Sequence, residues 1–217
     1  MDIEFARDQM VKQQVRAWDV LDKRVLDMLE SLPRESFVQA RYRNVAYADT
    51  QIPLAHGEVM MAPSVEGRAL QALNPLASER ALEIGTGSGF FAACLAKLAR
   101  EVVTVDIHAD FTETATKTLK SLGLKNLKLE TRDGSRLDWL NERFKVIAVT
   151  GSLPEYDPAY AERLEVGGRL FAIVGQSPVM EAVLVTRTAE DTWSRESLFE
   201  TDLPPLVNAV APRKFQF

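Results

Sequence analysis

The chain is short of the residues that build metal clusters and covalent frameworks. It has one cysteine, Cys94, and two histidines, His56 and His108. A single cysteine excludes an intrachain disulfide and a cysteine-rich metal site. The two histidines stand isolated without metal-ligand spacing, so no metal is expected. No apolar run approaches the length needed to cross a bilayer, and no basic-then-apolar leader opens the sequence. The expectation is a cytoplasmic protein with no membrane partner. An excess of basic residues is missing too: 26 Lys and Arg against 31 Asp and Glu leave a net charge of −5, mixed along the chain. No nucleic-acid partner is expected from that balance. Internal repeats and low-complexity tracts are not seen.

What is present centres on Arg80-Ala-Leu-Glu-Ile-Gly-Thr-Gly-Ser-Gly-Phe90. It reads as a short apolar strand, a glycine-rich turn and a helix through Ala99. Gly85, Gly87 and Gly89 remove Cβ atoms where a ligand would approach bare backbone. The helix start adds unpaired N–H groups. A dinucleotide site wants G-x-G-x-x-G, with its third glycine at position 90, but that residue is Phe90. Glu83, two residues before the first glycine, would also repel a pyrophosphate. A second apolar strand, Glu101 to Ile107, carries Asp106 about 20 residues past the first glycine, where an acid reaches ribose hydroxyls.

Other segments extend the pattern. Residues from about Asp2 to Trp18 and from Val20 to Leu32 read as helices, the second stopped by Pro33. Residues 47–57 are loop-like, Glu58–Ala62 a short strand, and Pro63–Leu73 a helix closed by Asn74-Pro75. A helix from Asp110 to Leu122 ends at Gly123. Strands follow at Asn126–Thr131, Lys145–Thr150 and Arg169–Gly175, with a short helix from Asp157 to Leu164 and a turn at Gly167-Gly168. Ala182–Thr188 and Ser194–Glu200 form a closing hairpin. Leu203–Leu206 is an extended terminal segment, and Pro212–Phe217 a tail that covers the site or frays. Strands alternating with helices imply an α/β fold, a doubly wound, mostly parallel sheet. We divide it into an N-terminal helical extension with an acceptor loop, residues 1–75, and one compact core, residues 76–217. Gly85, Asp106, Asp133 and Thr150 fall at carboxyl ends of strands, where ligands of such sheets bind.

Taken with these residues, several motifs resemble the protein-L-isoaspartate O-methyltransferase family. They are Met10-Val11 with Gln14, Leu32-Pro-Arg-Glu-Ser-Phe37, Tyr47 with Asp49, Ile52-Pro53, Gly57 with Pro63, and Leu82 to Phe90. Asp133-Gly134, Val149-Thr150, Leu164 with Gly167-Gly168, and Val174-Gly175 continue the match. The resemblance implies a seven-stranded, Rossmann-like methyltransferase sheet with an antiparallel seventh strand, and S-adenosylmethionine as cofactor. It assigns Glu83, Gly85, Thr86, Gly87, Ser88 and Gly89 to the methionine end and ribose. Asp106 and Ile107 follow at the ribose, and Asp133 with Gly134 at the adenine, the carboxylate accepting from the exocyclic amine. The acceptor would be a protein or peptide, with a small molecule as the other option.

One departure bears on chemistry. Between Gly57 and Pro63 the family carries a Thr and a Ser, whereas here Val59 and Met61 stand in their places and donate no hydrogen bond. Thr150 and Ser152 offer hydroxyls nearby. Asp49 either orients the acceptor backbone or caps a turn, and His56 lies near the acceptor mouth. The expected activity is methyl transfer to an isoaspartyl carboxylate or, given Val59 and Met61, to a different acceptor. The alternative is a catalytically silent cofactor-binding protein acting as sensor or partner. A dehydrogenase is disfavoured by Phe90.

Overall fold

A computed structural model describes residues 2–210, so the expected tail Pro212–Phe217 lies outside the described residues. Its centre is a seven-stranded sheet. The strands are β3 (Arg80–Ile84), β4 (Glu101–Asp106), β5 (Leu127–Thr131), β6 (Phe144–Leu153), β7 (Leu164–Gln176), β8 (Val179–Ala189) and β9 (Thr192–Thr201), in spatial order β5-β4-β3-β6-β7-β8-β9. A two-residue pair, β1 (Ile52–Pro53) and β2 (Val59–Met60), lies outside it. Strands β3 to β7 are mutually parallel. Strand β8 is antiparallel to β7, and β9 is antiparallel to β8.

This corrects one expectation. The antiparallel strand is the sixth of the sheet in chain order, not the seventh. Residues 177 and 178 join β7 to β8, and residues 190 and 191 join β8 to β9. Connections so short allow only antiparallel neighbours, so the edge strand β9 points the same way as β3 to β7.

Alternate residues of the central strands face opposite layers, as the two-residue period demands. Ala81, Val102, Val146 and Phe171 enter one apolar cluster. Leu82, Val103, Ile147 and Leu170 enter the other. Both faces are covered, which is why these strands read as continuous apolar runs. The first cluster takes in α4 (Phe90–Leu98), α3 (Pro63–Leu73), part of α5 (Ala109–Ser121) and apolar side chains of the first forty residues. The second includes Tyr160 and Ala161 of α6 (Pro158–Glu162).

Local differences have local causes. The first helix is α only over α1 (Ile3–Gln9), then widens to a π-helix over Met10–Val15 and tightens to a 3-10 turn over Arg16–Trp18. The i→i+5 turn returns Met10 and Val15, both fully buried, towards one face. Helix α2 (Lys23–Ser31) starts later than expected because Asp22 caps it, accepting from the Arg24 N–H at 2.8 Å. Strand β6 runs past Thr150 to Leu153 through an irregular register between Ala148 and Ser152. Gly167 and Gly168 are an irregularity within β7, not a free turn.

A buried ion pair ties the front section to the sheet. Arg34 and Glu66 are each 1% exposed, and the guanidinium bonds the carboxylate. Its other terminal nitrogen donates to the Met61 carbonyl at 2.6 Å, and the group lies over the Phe90 ring, 4.5 Å from its centre. Removing one partner strands the other charge in the interior. Arg34→Ala is expected to lower the unfolding free energy by about 3–5 kcal/mol, measured by urea denaturation. A loss within about 1 kcal/mol, the range of exposed pairs, would refute that role.

Candidate functional site

Strands β3 and β4 end side by side, and the chain leaving β3 turns over them. The amides of Gly85 and Thr86 both donate to the Val105 carbonyl, at 2.8 and 3.1 Å. Gly85, Gly87 and Gly89 all have positive φ, at 106°, 48° and 82°. At Gly85 a Cβ would also lie 2.6 Å from the Thr150 hydroxyl oxygen. Glycine is required there on both counts.

Asp106 closes the turn from the next strand. Its Oδ2 accepts from the Gly87 N–H at 2.8 Å and its Oδ1 from the His108 N–H at 2.9 Å. Each oxygen keeps a second lone pair. Asp133, after β5, is held similarly. Oδ1 accepts from the Ser135 N–H and hydroxyl at 2.9 and 2.6 Å, and Oδ2 from the Asn208 amide at 2.9 Å. Burial alone would raise this carboxyl, but the Ser135 and Asn208 donors outweigh it and hold its pKa below the ordinary value.

These ends border a cleft of about 530 Å³ that opens to solvent. Gly85, Gly87, Asp106, Ile107, Asp133 and Gly134 line it, as does Thr150. The Thr150 hydroxyl donates to the main-chain carbonyls of Ile84 and Gly85, at 3.0 and 2.6 Å. The sequence-predicted cleft residues are thus brought together.

A smaller adjoining cavity of about 280 Å³ is bordered by Thr86, Ser88, Val59, Met61, Glu66 and Glu83. Glu83 is fully buried. Its Oε2 accepts from the Thr104 hydroxyl at 2.5 Å, and Thr104 in turn meets the Thr86 hydroxyl at 2.7 Å. Among the described residues its Oε1 has no partner. Burial pushes the Glu83 carboxyl up to about 8, and pushes Glu66 up to about 7 against the lowering charge of Arg34. The cavity wall therefore holds two buried acids for one buried guanidinium. An unpartnered carboxylate oxygen in such a place suits a cationic ligand group.

Four predicted residues have other positions or duties. Ser152 is fully buried, does not line either cavity, and gives its hydroxyl to the Leu203 carbonyl at 2.7 Å. It is an anchor for the chain end, which corrects its expected place beside the acceptor. Asp49 caps helix α3, accepting from the Ser64 N–H at 3.0 Å. It does so because the N-cap residue Ala62 has no side-chain acceptor. His56 and His108 are not isolated: their rings stack, centres 3.9 Å apart and 5° from parallel. His56 Nε2 lies 3.0 Å from both Asp110 carboxylate oxygens. His56, His108 and Asp110 offer ligand atoms within 4.8 Å of one another. Parallel stacked rings cannot both aim an in-plane lone pair at one ion between them.

Residues missed from the sequence are Arg34, Glu66, Glu58, Leu206, Val207 and Asn208. Glu58 is half-buried on the cleft wall, its carboxyl raised by burial and by Asp106. An acid at position 66 on a helix whose neighbours Ala69, Leu70 and Leu73 are buried was the available signal for Glu66. The rest depend on distant chain segments.

Known proteins align with this geometry. The family model for protein-L-isoaspartate(D-aspartate) O-methyltransferase matches residues 6–211. A protein-L-isoaspartate O-methyltransferase of Koribacter versatilis is 36% identical over 201 residues, covering 93% of this chain and 90% of its own. One from Roseobacter denitrificans is 33% identical, covering 95% and 97%. In fold, the chain is similar to the crystal structure of a Plasmodium falciparum protein-L-isoaspartate O-methyltransferase in complex with S-adenosyl-L-homocysteine. That similarity has a TM-score of 0.79 at 18% identity, over 92% of this chain and 97% of that one. Sheet order, glycine turn, paired acids and these relatives agree, and the chain belongs to the protein-L-isoaspartate(D-aspartate) O-methyltransferase family.

Proposed function

We propose that the protein transfers the methyl group of S-adenosylmethionine to a carboxylate of isoaspartyl residues in a protein or peptide, in the cytoplasm. Val59 and Met61 make a less anionic acceptor the main competing substrate class. The observation that supports the reading is the glycine turn joined to Asp106 on one side and to the Glu83 carboxyl group, with its unpartnered Oε1, on the other. Among the described residues, no helix is long and apolar enough to cross a membrane.

The residues present fit the cofactor. Backbone at Gly85 and Gly87 admits close approach, and Asp106 keeps lone pairs for ribose hydroxyls. Asp133 keeps one for an exocyclic amine. Glu83 Oε1 supplies the anion for the amino-acid end. When bound, the cofactor contributes an electrophilic methyl on sulfur. The protein's part is to orient both reactants and to exclude water, worth up to about 7–11 kcal/mol in favourable cases. Met61, 4% exposed and fixed through its carbonyl by Arg34, presents an apolar thioether on the acceptor side. It excludes water but cannot donate to a carboxylate.

A second reading, a silent cofactor-binding sensor, draws on that missing donor. Methyl transfer from labelled cofactor to an isoaspartyl peptide, or to any component of a lysate, that Asp106→Ala abolishes rejects it. Transfer to lysate components but not to the peptide selects the different-acceptor version of our proposal. No transfer to either removes the enzymatic reading.

Three outcomes are expected. Asp106→Asn should weaken S-adenosylhomocysteine binding about 10- to 100-fold by calorimetry, since charged hydrogen bonds contribute about 1.5–3 kcal/mol each. Unchanged affinity would contradict the ribose role.

Glu83 keeps its proton below about pH 8. A cation placed at Oε1 lowers that pKa, so ligand binding at neutral pH releases protons and tightens as pH rises towards 8. Calorimetry in buffers of different ionisation enthalpy should detect the release, and Glu83→Gln should abolish it. Buffer-independent heats in the unaltered chain would exclude this contact.

Met61→Ser should raise kcat/KM on an isoaspartyl peptide at least about tenfold, part of the roughly 2–4 kcal/mol that one positioned donor contributes. A value no higher than that of the unaltered chain would show that the missing hydroxyl is not what limits transfer.

A further inference from the structure

After β9 the chain turns back across the cleft. Ser152 grips it with all of its polar groups: its N–H donates to the Pro204 carbonyl at 2.9 Å and its carbonyl accepts from the Leu206 N–H at 2.9 Å. Its hydroxyl donates to the Leu203 carbonyl at 2.7 Å. A parallel bridge pairs Ser152 with Pro205. Leu206 then lies on Gly151, so close that a Cβ there would stand 2.6 Å from the leucine Cδ2. Gly151 is thus kept bare by the returning chain. Leu206 and Val207 become cleft wall beside Asp133. Asn208, in the left-handed region at φ 65°, reaches Asp133 Oδ2 at 2.9 Å.

We propose that residues 203–209 are a strap built into the nucleoside end of the cleft, and that Asn208 makes the site select a base bearing an exocyclic amine. The inference rests on the cofactor reading above and goes beyond it by naming the element that sets base preference.

Asp133 has about four acceptor positions on its two oxygens. Ser135 fills two on Oδ1, and Asn208 fills one on Oδ2. One position remains, on the oxygen that Asn208 holds. An amine on the base edge donates into it. A carbonyl at the same edge sets two acceptors against each other, with no donor between them. With Asn208 gone, Oδ2 loses its one fixed donor among the described residues, and the carboxylate can turn so that a carbonyl is tolerated. Asn208 is therefore a positioning residue, acting on the base through Asp133. Leu206 contributes apolar wall to either base and should not discriminate.

The experiment is calorimetry with S-adenosyl-L-homocysteine and S-inosyl-L-homocysteine, which differ at that edge. The unaltered chain should prefer the adenosyl ligand by at least about tenfold. Asn208→Ala should shrink that preference about 3- to 10-fold, the weight of one hydrogen bond. Asn208→Asp, which sets a like charge against Asp133, should weaken both ligands. Leu206→Ala should weaken both by a similar factor and leave the ratio in place. Asn208 is exposed, so its replacement leaves the core untouched. An unaltered chain that binds the adenosyl ligand, with the same ratio in Asn208→Ala, overturns the strap's role alone. An unaltered chain that binds neither ligand overturns the cofactor reading, and this inference with it.

Discussion

Two amides on one carbonyl set the geometry of the cleft. The N–H groups of Gly85 and Thr86 both point at the Val105 oxygen, so the chain leaving β3 folds across the end of β4 instead of running on. From that crossing the rest follows by short links. The Gly87 N–H arrives at Asp106, the last residue of β4, and fixes its carboxylate. The Thr150 hydroxyl from β6 ties down the carbonyls of Ile84 and Gly85 from the other side. Three adjacent parallel strands thus end on one another's backbone, and the polar groups that remain free face the cleft. A larger residue at 85 would break the crossing and the Thr150 contact together.

Behind the cleft the interior carries charge that its own residues do not balance. Arg34 is the buried cation beside Glu66, and Glu66 and Glu83 are buried acids on the same small cavity. Arg34 satisfies Glu66, while Glu83 has only the Thr104 hydroxyl. Protons make up the difference: burial raises Glu66 to about 7 and Glu83 to about 8. A raised acid binds more protons folded than unfolded, so its contribution to stability declines from its unfolded pKa up to its folded one. For Glu83 that window runs from about 4.5 to about 8. Carrying such a cost in the core makes physical sense where a ligand's positive charge takes the proton's place.

How far the sequence disclosed this depended on the distance over which each feature is set. The glycine turn, the glycine after α5 and the acid ending β4 are decided within a few residues, and they were legible. So was the convergence of Gly85, Asp106, Asp133 and Thr150, because parallel strands place their carboxyl ends together. The closing hairpin of Ala182–Thr188 with Ser194–Glu200 was read correctly, since β8 and β9 pair antiparallel. The resemblance-based orientation of the last strand was not, because two-residue connections decide it. Ser152 shows the limit most plainly: a hydroxyl two residues beyond Thr150 looked like site chemistry, but its partner lies 51 residues away. His56 and His108 likewise meet only through the fold. Arg34 and Glu66 sit in separate helical segments, and neither segment reveals the other.

The two halves of the proposed site are built by different means. On the side proposed for the nucleoside, the carboxylates of Asp106 and Asp133 each organise a turn and also border the cleft. Changing either disturbs the backbone that shapes the cleft. On the side proposed for the acceptor, the loop is held by main chain. Arg34 grips the Met61 carbonyl, the Glu58 carbonyl accepts from the Leu54 N–H at 2.8 Å, and Ile52 and Pro53 pair with Met60 and Val59. None of these contacts depends on which side chain stands at 59 or 61. A threonine or serine there can become valine or methionine with the loop kept in place. The loop's backbone is therefore held independently of the side chains at 59 and 61, whereas the carboxylates of Asp106 and Asp133 are part of the scaffold itself.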